Sequence, residues 1–88
     1  MVNEMIHIGN SAFIPLDKIR VIIPADAGKV RRILKRKGID QNSDRFWDTT
    51  SGLETRALIV LDNGMIVTSF VTANAIVKRI NQNNDLEV

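Results

Sequence analysis

Cysteine and tyrosine are absent from the 88 residues, and histidine and tryptophan occur once each. Without cysteine the chain can form neither a disulfide nor a thiolate metal site, and a reducing cytosol suits it. The lone histidine, His7, has no second imidazole to share a metal with, and the carboxylates are scattered. His7 lies between Ile6 and Ile8 in an expected strand, where it reads as a structural side chain turned away from both. No Walker loop and no Gly-x-Gly-x-x-Gly turn is present. Enzyme is therefore the poorest class, and no cofactor, metal or small-molecule substrate is expected. Apolar runs such as Val21-Ile22-Ile23 and Ala57–Leu61 are short, against the roughly 20 residues of a membrane span. The start carries Glu4 and lacks a basic-then-apolar pattern, so neither a signal peptide nor a membrane partner is expected.

What is present is ordinary for a globular chain: 44% hydrophobic and 25% charged residues. The length suits a single domain over 1–88, with a core at about 5–80 and a polar tail at 81–88. So small a core, with no disulfide or metal to staple it, favours association with further copies.

Net charge is only +2, yet it is unevenly placed. Residues 26–37 carry six cations (Lys29, Arg31, Arg32, Lys35, Arg36, Lys37) against Asp26, a net of +5, so the remainder nets −3. One basic element suits a polyanion partner.

Met5–Ile8 reads as a short strand closed by Gly9-Asn10-Ser11, and Ala12–Ile14 as a second before Pro15. Ile19–Ile23 is a third, β-branched strand ended by Pro24. Asp26 fits a helix N-cap or first turn, and Ala27, Val30, Ile33 and Leu34 recur at helical spacing. Arg32, Lys35 and Arg36 fall on the opposite face, flanked by Lys29 and Arg31. Lys37 closes the last turn, where a cation suits the dipole, and Gly38 is the expected stop. Residues 39–53 are the least regular, rich in loop formers, with Phe46-Trp47 as an apolar anchor or subunit-interface pair. Thr55–Leu61 and Met65–Phe70 are strands, and Asn63-Gly64 between them predicts a type I′ hairpin. Neither returning face is cleanly apolar, so both should be covered, one by helices and one by another subunit. Thr72 should cap a second helix with Ala73, Ile76, Val77 and Ile80 as its stripe, ended by Asn81–Asn84. The fold class expected is α+β: a small, mainly antiparallel sheet of about five strands with two amphipathic helices, in the order βββαββα.

The cations supply the candidate site. Lys18 and Arg20 flank Ile19, on one side by a period of two. Arg31, Arg32, Lys35 and Arg36 cover the helix, and Arg56 opens the strong strand. Lys and Arg neutralise phosphates without a base-reading motif, so DNA is the expected partner and RNA the minor alternative. A homo-oligomer repeating these groups would gain by multivalency.

Several segments together look familiar. They are Ile6-His7-Ile8-Gly9, the strand and helix from Ile19 through Lys29–Leu34, the run Thr55–Asp62 with Gly52 before it, and Val77-Lys78-Arg79-Ile80. The chain resembles the bacterial extracellular matrix regulatory protein RemA family over roughly residues 5–80. The resemblance implies a cytoplasmic α+β protein that assembles into rings, binds promoter DNA and activates biofilm-matrix genes. It places Lys18 at a basic position before a strand and Arg56 at the arginine of Thr-Arg-Ala. The chain departs at Leu53-Glu54, where the family carries two arginines. An apolar residue and an anion reverse the local field, so a second reading is an interaction oligomer that has lost DNA binding.

Overall fold

Three apolar strands, Ile19–Pro24, Ala57–Leu61 and Ile66–Ser69, form the centre of the fold. A computed structural model describes residues 4–86. In chain order these are β1 (Met5–His7), β2 (Phe13–Pro15), a 3₁₀ turn at Leu16–Lys18, β3 (Ile19–Pro24), α1 (Ala27–Lys37), β4 (Phe46–Asp48), β5 (Ala57–Leu61), β6 (Ile66–Ser69) and α2 (Ala73–Leu86). The class is α+β, with six strands where the sequence suggests about five.

The main sheet runs β3-β5-β6-β4, and β1 and β2 form a separate antiparallel pair. β3, β5 and β6 are mutually antiparallel, and β4 joins β6 in parallel. β4 is the strand hidden in the irregular stretch. It is three residues long and pairs with residues 20 positions on, so no local signal marks it.

Both faces of the sheet are covered from within the chain. On one face α1 packs Val30 and Leu34 over Leu58 and Ile66, with Ala25 and Ile39. On the other, Ile6 and Ile14 of the first pair, with Ile8 just after β1, join Ile76 of α2 over Ile59 and Val67. The expectation of helices on one face and another subunit on the other is thus corrected: the helices lie on opposite faces, and the β1–β2 pair fills the space beside α2.

Three further details differ. The Asn63-Gly64 loop is not type I′. It spans Asp62–Gly64 between paired Leu61 and Met65, closed by Gly64 N donating to Leu61 O at 2.9 Å. Only Gly64 has a positive φ, 86°, because the Asn63 side chain accepts from Met65 N at 2.9 Å and turns the chain by itself. α2 passes through Asn81–Asn84 to Leu86, since asparagine costs at most about 0.7 kcal/mol per residue inside a helix. Glu87 and Val88, the end of the expected tail, lie outside the described residues. Ala27, placed on the helix stripe, is exposed at the first turn.

Candidate nucleic-acid interface

The basic helix is held at both ends. Asp26 Oδ1 accepts from Lys29 N at 2.8 Å, as an N-cap should. At the other end Gly38 adopts φ 69°, and its N–H reaches Leu34 and Lys35 carbonyls. Ile39 N donates to Leu34 O at 2.9 Å, and its side chain is buried beside Leu34. With Val30 and Leu34 locked inward, Arg32, Lys35 and Arg36 must point outward, and all three are exposed. Among the described residues the ion pairs are Lys18–Asp62 and Arg56–Glu54, so the α1 cations stay uncompensated.

The remaining candidates divide. Lys18 sits in the 3₁₀ turn with Nζ 4.0 Å from Asp62 Oδ2. Arg20 occupies a bulge: Ile19 pairs with Leu61 and Val21 with Val60, leaving Arg20 unmatched. The period of two that would put Lys18 and Arg20 on one side is therefore not kept. The bulge places Arg20 on a cleft of about 580 Å³ at the C-terminal end of α1, shared with Lys37 and Arg45. Nothing in the sequence marks Arg45, which lies in the loop before β4, and Lys37 reads there only as a last-turn cation that suits the helix dipole.

Arg56 stands at the other end of β3, where Pro24 pairs with Ala57. At about 3.3 Å per residue it lies roughly 15 Å from Arg20. Its Nη2 is 3.1 Å from Glu54 Oε2. Arg31 turns towards β4, lining a small cleft with Gln41 and Asp48. The structure thus gathers Arg32, Lys35 and Arg36 on the helix, places Arg20 beyond its end, and sets Arg31 and Arg56 apart.

Asp48 organises the β4 edge. Its Oδ1 accepts from Thr50 N at 3.0 Å, Thr50 Oγ1 at 2.7 Å and Thr68 Oγ1 at 2.8 Å. Burial pushes its carboxyl up, but the hydrogen bonds from the Thr50 hydroxyl, the Thr50 amide and the Thr68 hydroxyl outweigh it and hold it below the usual value. Of the anchor pair, Phe46 packs into the α1 core while Trp47 is 40% exposed on the edge strand. His7 is exposed, its ring 4.9 Å from that of Phe13.

Comparison with known proteins bears on this surface. The family model described as "RemA-like: Extracellular matrix regulatory protein A-like" matches residues 5–80. The segments singled out in the sequence point to the same family. A protein of Coprothermobacter proteolyticus, named "Putative regulatory protein", is 32% identical over 82 residues, 93% of this chain and 75% of its own. One of the same name from Lachnoclostridium phytofermentans is 29% identical, covering 97% of this chain and 90% of its own. Another, from Bacillus cytotoxicus, is 27% identical, covering 98% and 95%.

Proposed function

From the premise that this chain belongs to the RemA-like family, we propose that it is a regulatory protein that binds DNA as a homo-oligomer. The observation that carries the reading is the outer face of α1, where Arg32, Lys35 and Arg36 are exposed and outside the ion pairs among the described residues. A rigid row of cations suits a phosphate backbone, which supplies affinity and register without base readout. Lys18 and Arg20 extend the basic surface beyond the helix, and Arg31 and Arg56 flank it. A ring of copies would repeat the row and bend duplex around itself. The family description and the relatives' names support regulation. On our reading its targets are biofilm-matrix genes and its place of action is the cytoplasm.

A second reading rests on Leu53-Glu54. Leu53 is 53% exposed and Glu54 occupies Arg56, a combination suited to a protein partner. An interaction oligomer of the same fold would have no DNA affinity at all.

Fluorescence anisotropy of a labelled mixed duplex, run at low and at raised salt with light scattering alongside, separates the two. The DNA reading expects a multimer whose affinity falls steeply with salt. It expects the Arg32→Glu, Lys35→Glu double variant to bind at least about tenfold more weakly at unchanged mass. A multimer indifferent to duplex moves the function to protein partners. Preference for single-stranded RNA over duplex moves it to RNA.

A further inference from the structure

The cleft at the C-terminal end of α1 differs in kind from the helix face. It is concave, of about 580 Å³, a size typical of small-ligand sites. Three elements each contribute one cation to it: Arg20 from the β3 bulge, Lys37 from α1, and Arg45 from the loop before β4. None of the three takes part in the ion pairs found among the described residues. Its remaining wall is apolar, from Val21, Val60 and Leu61. Val21 is 43% exposed although it lies in a strand, so the cleft offers uncovered apolar surface beside its charges. The mouth is bounded by Gly64, where an added Cβ would lie 3.7 Å from Arg45 Nη2. Arg45 Nη2 therefore lies within ordinary contact distance of the loop at Gly64.

A duplex presents an extended line of evenly spaced phosphates, for which cations spread along a helix are the better match. A cleft with three converging cations and an apolar wall fits a compact polyanion that also carries a flat apolar ring. We infer that this cleft binds a nucleoside polyphosphate, with Arg20, Lys37 and Arg45 on the phosphates and the base against Val21 and Val60. Arg45 and Arg20 offer forked donors that pair with phosphate oxygens, and Lys37 a point charge. Arg20 is shared with the basic surface assigned to duplex, but Lys37 and Arg45 are not, so variants of those two test the cleft apart from the DNA reading.

The test is isothermal titration of the full chain with ATP in metal-free buffer, repeated with inorganic triphosphate. Saturable binding of ATP at one site per chain is expected. Arg45→Gln and Lys37→Gln should each weaken it about tenfold or more, with far-ultraviolet circular dichroism unchanged. Triphosphate should bind at least about fivefold more weakly than ATP, for want of the ring on the apolar wall. ATP binding should survive in the Arg32→Glu, Lys35→Glu chain, so that this proposal and the DNA reading can each fail alone. Absence of saturable ATP binding, or ATP binding unmoved by both cleft variants, overturns the inference. So does displacement of ATP by duplex together with an equal loss of duplex affinity in Arg45→Gln, which would assign the cleft to nucleic acid.

Discussion

Glu54 Oε2 sits 3.1 Å from Nη2 of Arg56, and both side chains are more than half exposed. The chain therefore carries its own counter-ion for the strand-opening arginine. The pair stands where Gly52, φ 84°, and Ser51, φ 52°, have turned the chain outward from β4. A surface pair of this kind is worth about 0.2–1 kcal/mol. Its effect on a polyanion is larger than its effect on stability, because the anion repels phosphate as well as occupying the cation.

Replacing the anion should therefore strengthen duplex binding. Glu54→Gln is expected to raise affinity up to about fivefold at low salt, the value of releasing one surface pair. Glu54→Arg should go further, steepening the slope of log affinity against log salt by about 0.9 for one added phosphate contact. Anisotropy titrations across a salt series check both. An unchanged slope in Glu54→Arg would place this loop away from the bound duplex.

Asp48 accepts three hydrogen bonds from two residues on one oxygen, and one of the two, Thr68, is 2% exposed. Asp48→Ala should cost about 1–3 kcal/mol, because the buried Thr68 hydroxyl loses a charged acceptor. The pH dependence follows from the depressed carboxyl. Its folded value lies below its unfolded one, so the stabilisation is fully present above the unfolded range near pH 4. It is lost as pH falls through the folded value. Denaturant midpoints measured from pH 7 downward should fall more steeply in the wild type than in Asp48→Asn, which has no charge to lose.

Gly9 cannot be replaced without moving Phe70. A Cβ at Gly9 would lie 2.2 Å from Phe70 Cε1, and the residue's φ is 101°. Backbone strain of about 1–3 kcal/mol adds to overpacking of similar size. Gly9→Ala should thus cost about 2–5 kcal/mol, which for a domain this small lowers Tm by about 10 °C or more. Combining it with Phe70→Ala relieves the clash but not the φ, so the double variant should lose less than the sum of the singles. Strict additivity in thermal melts would remove Phe70 from the explanation.

These sites differ in how far the sequence revealed them. Asp26 and Gly38 could be read as the ends of α1 because capping is local: donor and acceptor lie within four residues. The strands β3, β5 and β6 were readable from β-branched runs. β4 was not, because its partner in β6 lies 20 positions away and its own residues look like loop. The hairpin was anticipated in place but not in geometry. Asn-Gly serves both a two-residue I′ turn and a three-residue loop, and the Asn63 side-chain bond to Met65 favours the second. For the candidate site, the helix face followed from periodicity. The cleft did not, since a bulge at Arg20 and the position of Arg45 arise only when β3, α1 and the β4 loop meet.

Trp47 offers a direct reading of assembly. β4 lies at the edge of the main sheet, so one side of its backbone has no strand partner among the described residues. Phe46 pairs in register with Ile66 and Trp47 with Val67, which sends neighbouring side chains to opposite faces. Phe46 is spent on the core under α1, whereas Trp47 keeps 40% of its surface. Being the only tryptophan, it makes intrinsic fluorescence a probe of this edge alone. If copies join here, its emission should move to shorter wavelength as concentration rises, in step with mass from light scattering. Trp47→Ala should then shift the assembly to higher concentration by about tenfold or more, as expected for an aromatic interface anchor. Growth in mass with constant emission would move the seam to the opposite edge. There the outer side of the six-residue β3 has no strand partner among the described residues, and Val21 is 43% exposed.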